Sequence, residues 1–330
     1  MKMQKGIRGV LWVLALSFGI ALWIQGAMAQ EYPTKSVNLL ICMQPGAGAD
    51  LGGRMIAQEA SKTLGQEIVP VNKAGGGGAV AAGILAASKP DGYNLISCTN
   101  GAFTTSPHLE SVSYDPLKDF TPLIQFGSLT TGILVRSDSP FKSLKEFIDF
   151  ARKNPGKLSY GFPGIGTAPH LAIEHVMLEE KVNIATVPFE GAAPSVTALL
   201  GGHVSACGVS TSGFLQHLKA GKIRVLATTG EKRIEVAPEA PTLFELGYPY
   251  GVLMDFYLIA GPKGISPAVS KTLEGAFLKA METQGFQALA ERLYMQVKVP
   301  LYGQKFKEYV EEIYKKNGEI IRKAKLGTKN

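Results

Sequence analysis

Val37-Asn38-Leu39-Leu40-Ile41-Cys42-Met43-Gln44-Pro45-Gly46-Ala47-Gly48-Ala49-Asp50 is the stretch on which the fold turns. Residues 37–43 are short and almost continuously apolar, which fits a strand buried on both faces. Residues 44–50 form a glycine-rich loop, and 51–64 continue with helical periodicity up to Gly65, a suitable C-cap. Asp50, immediately before Leu51, reads as the N-cap of that helix, with ligand contact as its other role. Glycine lets the backbone turn tightly and lets a solute approach main-chain N–H groups, while a helix start offers unsatisfied donors and the positive end of its dipole. A strand, a glycine turn and a helix start together form a cradle for an anion.

Strand and helix signals alternate along the rest of the chain, with no internal repeat strong enough to align. Strands are expected at 67–71 and 93–98, with a small-residue helix at 79–88 and a Pro90-Asp91-Gly92 turn, completing βαβαβ. Strand signals follow at 123–125 and 132–135, then a Ser143-capped helix to Lys153 and a strand at 158–161. A second glycine loop, Gly164-Ile165-Gly166-Thr167-Ala168-Pro169-His170, precedes a helix ending near Glu180. Strands at 185–187, 204–208, 224–228 and 252–259 alternate with helices near Pro194 and at 214–220. The C-terminal part reads as helices at 266–283, 286–294 and 304–325. Such alternation predicts an α/β protein with mainly parallel sheets flanked by helices. About 300 residues exceed one ordinary core, so two lobes are expected. The expected partition is 30–127 plus 255–302 for the first lobe and 128–254 for the second. Residues 303–330 form a C-terminal helix assigned to neither.

Residues 1–29 carry Lys2, Lys5 and Arg8, an apolar run from Val10 to Ile24, and the small-residue stretch Ala27-Met28-Ala29. That pattern predicts a cleaved export signal and a periplasmic protein. The formal charge of +7 falls to +4 without those three basic residues, with no concentrated basic stripe, so nucleic acid is not an expected partner. Cys42, Cys98 and Cys207 are odd in number and lack paired spacing, so they are read as small core residues without a disulfide framework.

Each glycine loop is an anion cradle by the argument above. A partly buried helix terminus contributes up to ~2 kcal/mol toward an anion. Each hydrogen bond to a charged group adds about 1.5–3 kcal/mol. Micromolar capture of a small carboxylate therefore requires no arginine clamp. Gly46, Ala47, Gly48, Ala49 and Asp50 make up the first candidate site. Gly164, Gly166, Thr167, Ala168 and His170 make up the second, and Asn100 and Ser210, which follow two of the expected strands, complete the set. Thr167 offers a hydroxyl or a helix cap.

Other chemistries fail on spacing. Leu51 stands where a dinucleotide fingerprint needs its third glycine, and Gly75-Gly76-Gly77-Gly78 lacks the Gly-Lys-Ser/Thr of a phosphate loop, leaving a cleft wall or a turn. Ser212 replaces the closing glycine of a nucleophile elbow. His170 and His175 are five apart, which spreads them around a helix, and Glu174 reads as a local partner of His170. No metal, cofactor or catalytic set is expected.

Many short stretches carry a resemblance in the same order. They include Tyr32-Pro33-Thr34-Lys35, Pro45 to Asp50, Pro90-Asp91-Gly92-Tyr93, Tyr114-Asp115-Pro116-Leu117-Lys118-Asp119-Phe120 and Asn154-Pro155-Gly156-Lys157-Leu158-Ser159-Tyr160-Gly161. Gly166-Thr167-Ala168-Pro169-His170-Leu171, Val187-Pro188-Phe189, Leu199-Leu200-Gly201-Gly202 and Lys219-Ala220-Gly221-Lys222-Ile223-Arg224 continue it. Nearly the whole exported sequence resembles the substrate-binding proteins of tripartite tricarboxylate transporters, the Bug or TctC family. The resemblance implies a monomeric, two-lobed periplasmic binding protein of Venus-flytrap, type II-like fold. Its two glycine loops would hold a ligand carboxylate through backbone groups and ordered water, and it would deliver the ligand to integral membrane subunits. The alternative expectation is a sensory protein presenting the ligand to a membrane receptor kinase. Four positions depart from the family pattern. Ala49 stands where a Thr is common, Glu190 where Lys or Arg is frequent, Val209 near a usual acid or amide, and Phe256 in place of a usual Trp. These departures predict a ligand less polar than citrate, an aromatic or monocarboxylic acid.

Overall fold

Two five-stranded sheets organise the chain. The computed structural model describes residues 32–248, 253–297 and 300–327. The export signal expected at 1–29 lies outside them. The first sheet has the order β2-β1-β3-β10-β4, built from β1 (Val37–Ile41), β2 (Ile68–Asn72), β3 (Asn94–Thr99), β4 (Phe120–Leu129) and β10 (Asp255–Pro262). The second has the order β7-β6-β8-β5-β9, from β5 (Thr131–Arg136), β6 (Ser159–Phe162), β7 (Ala185–Pro188), β8 (Ala206–Ser210) and β9 (Ile223–Thr228). In each sheet one strand runs against the rest: β10 pairs antiparallel with both β3 and β4, and β5 with both β8 and β9. These are the strands by which the chain changes sheets. Thr130 alone separates β4 from β5, and the return runs from β9 to β10. The result is the expected two-lobed α/β architecture of periplasmic binding proteins.

Register places the apolar runs inside. Leu39 lies opposite Leu95 and Leu40 opposite Ile96, and all four are buried. The helices are α1 (Gly48–Leu64), α2 (Ala79–Ala86), α3 (Gly101–Thr104), α4 (Ser106–Leu109), α5 (Leu144–Lys153), α6 (Ala168–Glu180) and α7 (Ala192–Leu200). They continue with α8 (Thr211–Lys219), α9 (Pro267–Glu282), α10 (Gln284–Arg292) and α11 (Gly303–Lys323). The very short α3 and α4 carry no periodicity to read, which is why they are absent from the sequence expectation. The last helix belongs to both cores. Phe306, Val310 and Ile313 pack with Phe256 and Leu258 of the first sheet, and Ile320 and Ile321 pack with Tyr160 and Phe162 of the second. Each such buried aliphatic or aromatic side chain contributes about 1.5–3 kcal/mol.

Two expectations are corrected. Cys42 and Cys98 form a disulfide rather than remaining separate core thiols. Their separation of 56 residues hides the pairing, but β1 and β3 are parallel neighbours, and the two cysteines meet at their C-terminal ends. Cys207 is free and buried, and burial pushes its thiol up to about 12. The first helix begins at Gly48 with Ala47 as its N-cap, so Asp50 is its third residue and not the cap.

Candidate functional site

The two glycine turns lie in different sheets and share one geometry. Gly46 and Gly166 adopt φ of 85° and 78°, a region open to glycine and strained for other residues. Each is followed by an extended N-cap residue, Ala47 at φ −66°, ψ 155° and Thr167 at φ −70°, ψ 158°. In each, the glycine amide donates to a side chain four residues on: Gly46 N to Asp50 Oδ2 at 2.8 Å, and Gly166 N to His170 Nδ1 at 3.0 Å. Asp50 and His170 therefore close their turns from inside the helix, the position of the returning residue in a capping box.

The two closing residues differ in electrostatics. Buried Asp50 also accepts from Arg54 Nε and Asn72 Nδ2, both at 2.8 Å. Burial alone would raise its pKa, but the Gly46 amide, Asn72 and the Arg54 guanidinium outweigh that and hold it below the ordinary carboxylate range. His170 stacks on Phe162 with ring centroids 4.1 Å apart, and its Nε2 lies 3.3 Å from Glu174 Oε1, the local pair expected from the sequence. Accepting at Nδ1 leaves the ring proton on Nε2, facing that carboxylate. Thr167 donates its hydroxyl to Gly164 O at 2.7 Å and makes no side-chain cap.

A cavity of ≈ 280 Å³ opens between the sheets. Met43 beyond β1, Thr99 and Asn100 at the end of β3, and residues 165–168 after β6 line it, so it lies at the carboxyl ends of parallel strands. Open α/β sheets place their ligands there. Gly77 contributes from the polyglycine stretch, making that stretch a wall of the cleft. Of the candidate residues, Asn100, Gly166, Thr167 and Ala168 line the cavity. Gly46, Ala47, Gly48, Ala49, Asp50, Gly164, His170 and Ser210 lie outside its lining. The first turn connects to it through Tyr257, whose ring lines the cavity and whose hydroxyl packs on Gly48 where a Cβ would stand. Ser210 caps α8 in sequence position and pairs its hydroxyl with Ser212. Asn100 works as a stitch: its Oδ1 accepts from Phe256 N at 3.0 Å, while its main-chain N–H donates to Phe256 O at 2.9 Å.

Six polar residues of the lining escape the sequence reading: the hydroxyl residues Thr99, Thr105 and Ser106, and also Asp255, Tyr257 and Asn317. Asp255 opens β10, and burial pushes its carboxyl up to about 6, although a hydrogen bond from the Ala168 amide opposes that. It is the one formally charged side chain among the described residues of the lining, which include no Lys, Arg or His. Asn317 comes from α11, where helical periodicity marks it only as another inward position. No spacing in the sequence connects either residue to the glycine turns; the return strand and the shared last helix bring them there.

The family described as "Tripartite tricarboxylate transporter family receptor", TctC, matches residues 53–326. Among relatives, a Cupriavidus necator protein named "UPF0065 protein in gbd 5'region" is 35% identical over 312 residues, 94% of each chain. Among solved structures, a TctC solute-binding protein from Polaromonas superposes with a TM-score of 0.78 at 28% identity, covering 88% of this chain and 99% of that one. An R. palustris protein with adipate gives a TM-score of 0.75 at 27% identity, covering 90% and 99%. The profile match spans both sheets and the relative aligns over nearly the full length, so the chain belongs to the TctC family, the receptors of tripartite tricarboxylate transporters.

Proposed function

We propose that the protein is a periplasmic solute-binding protein. In this reading it captures a small organic carboxylate between its two sheets and delivers it to the membrane subunits of a tripartite tricarboxylate-type transporter. The observation that carries this reading is the cavity itself. Both sheets contribute to it, it has the size of a small solute, and both glycine turns reach it, one directly and one through Tyr257. The adipate bound by a relative of the same fold points to the ligand class. The Cys42–Cys98 disulfide suits an oxidising compartment outside the cytoplasm.

The walls favour a ligand of low polarity. Met43, Leu109, Leu129, Ile165, Leu171 and Ile313 line most of the space, and citrate would leave several charges without partners. Thr99, Thr105, Ser106 and Thr167 supply hydroxyl groups. The ligand would be bound and released unchanged. Isothermal titration with adipate, shorter monocarboxylates, aromatic acids and citrate tests the reading. Micromolar binding of a monocarboxylate or aromatic acid is expected, with weak citrate binding. Tight citrate binding with no affinity for the others overturns the low-polarity part, and silence across every acid overturns carboxylate capture.

A further inference from the structure

The two glycine turns lead into helices whose starts are served by acids of different origin. In α1 the acid is the helix's own Asp50, which accepts from Gly46 N at 2.8 Å. The first turn of α6 contains no acidic residue, and Thr167 makes no side-chain cap. Around it Gly166 N donates to His170 Nδ1, Thr167 N to Gly164 O and Leu171 N to Thr167 O, while Pro169 has no N–H to give. The Ala168 N–H remains, and the carboxylate that receives it comes from the other sheet: it is Asp255, the first residue of β10. Its strand fixes it there. Asp255 lies opposite Leu129, next to Thr130, where the chain passes between the sheets. The following residue, Phe256, is held by Asn100, which accepts from Phe256 N at 3.0 Å and donates its main-chain N–H to Phe256 O at 2.9 Å. Asp255, Leu129, Thr167 and Ala168 all line the cavity.

We propose that Asp255 is a specificity residue whose carboxylate takes, at the start of α6, the place a ligand carboxylate would fill, so that the cavity admits acids with one carboxylate and rejects those with two. This rests on the carboxylate-binding reading above and names the residue that limits the ligand's charge. A helix start attracts a negative charge, and here the protein supplies it. A second carboxylate on a ligand would meet Asp255 at the same amide, with no Lys, Arg or His among the described residues of the lining to offset the pair. Like charges that share a site disfavour each other's ionised form. An acid with one carboxylate escapes this by turning its apolar end toward Asp255. Selectivity then comes from repulsion of the wrong ligand rather than from further contacts to the right one.

The test uses the exported chain, freed of co-purified solute by unfolding and refolding, and isothermal titration with probes matched in shape. Hexanoate is compared with adipate, and 4-methylbenzoate with terephthalate. In the wild-type protein at least one acid with a single carboxylate is expected to bind roughly tenfold or more tightly than its two-carboxylate counterpart. Asp255→Ala, which frees the Ala168 amide, should abolish or reverse that preference, and Asp255→Asn, which removes only the charge, should relieve part of it. Circular dichroism and melting of both variants establish that they fold. Acetate, with chloride at equal ionic strength as the control, should raise the melting temperature of Asp255→Ala and leave that of the wild-type protein unchanged, because it refills the vacated place. Two-carboxylate acids binding the wild-type protein as tightly as their counterparts, or a preference that both variants retain, would overturn the role of Asp255 and leave carboxylate capture standing. Acetate stabilising Asp255→Ala while none of the four acids binds the wild-type protein would overturn carboxylate capture and leave Asp255 as the internal anion of α6. No effect of any acid on any of the proteins overturns both.

Discussion

The two glycine turns have the same backbone and different anchors. Around Gly46 the closing residue is a charged aspartate held by three donors, and the strand before it is cross-linked to its neighbour through Cys42 and Cys98. Around Gly166 the closing residue is a neutral histidine on an aromatic ring, and the lone cysteine of that sheet, Cys207 in β8, has no partner. Space differs as well. Nothing lies within 4 Å of a Cβ built on Gly46, whereas one on Gly166 would stand 2.6 Å from Thr105 Cγ2 and 2.5 Å from Leu109 Cδ1. The first turn thus has open space beside its glycine, and the second packs against Thr105 and Leu109 from the other half of the molecule. One backbone motif serves as a rigid corner in one place and as a contact face in the other.

The largest test of that contrast is the cross-link. Replacing Cys42 and Cys98 by serine should cost roughly 4 kcal/mol, the chain-entropy value for a loop of this length, read by urea unfolding under oxidising conditions. Hydrogen exchange should rise in β1 and β3 before β6 and β8. A larger loss from Cys207→Ala than from the double variant would reverse the assignment of the rigid half.

Next comes pH. Asp255 faces the Ala168 amide of the second turn, and its folded pKa of about 6 lies above the usual carboxylate range, so the folded state holds its proton more tightly than the unfolded chain does. Ionising it therefore costs stability. That cost is absent below about pH 4 and complete above about pH 6, where it amounts to at most ~3 kcal/mol. Asp255→Asn should gain stability over the wild-type protein as pH rises through this window, in thermal melts at constant ionic strength. A constant difference between the two from pH 4 to 7.5 would refute the burial argument.

Closing residues come third. Asp50→Asn should cost about 2–3 kcal/mol, because it removes the charge that Arg54, Asn72 and the Gly46 amide all serve. His170→Asn, which keeps an acceptor for Gly166, should cost about 1–2 kcal/mol, mainly in lost stacking. Equal losses in denaturant titrations would remove the electrostatic difference between the turns.

The smallest effects belong to the glycines themselves. Gly46→Ala should cost only about 1 kcal/mol of backbone strain. Gly166→Ala adds a collision with Thr105 and Leu109 and should cost about 2 kcal/mol. It should also weaken ligand binding, since it pushes the second turn away from the cavity. Calorimetry showing unchanged affinity for Gly166→Ala would mean that the turn does not close on the ligand.

Much of the architecture is legible along the chain. The ten strands follow from short β-branched runs with turn residues between them, and the alternation with helices leads to parallel sheets. The glycine turns announce themselves because positive φ at Gly46 and Gly166 admits few other residues. The last helix shows its inward face at Phe306, Val310, Ile313 and Ile320. Asp50 is misread as a cap because a capping residue and a residue three places into the helix have the same composition preferences. The disulfide, Asp255 and Asn317 are hidden for a different reason: each acts across elements remote in sequence.

What the sequence by itself determined is local: which residues extend, which coil, and where the backbone must turn on glycine, since neighbours along the chain decide φ and ψ. Tertiary structure alone decided what those turns face. Strand order brings Cys42 to Cys98, the return strand carries Asp255 to the start of α6, and a helix shared by both cores places Asn317 at the same cavity. The chemistry of the site is a sum over distant segments, and Coulomb and hydrogen-bond energies depend on separation in space, not along the chain.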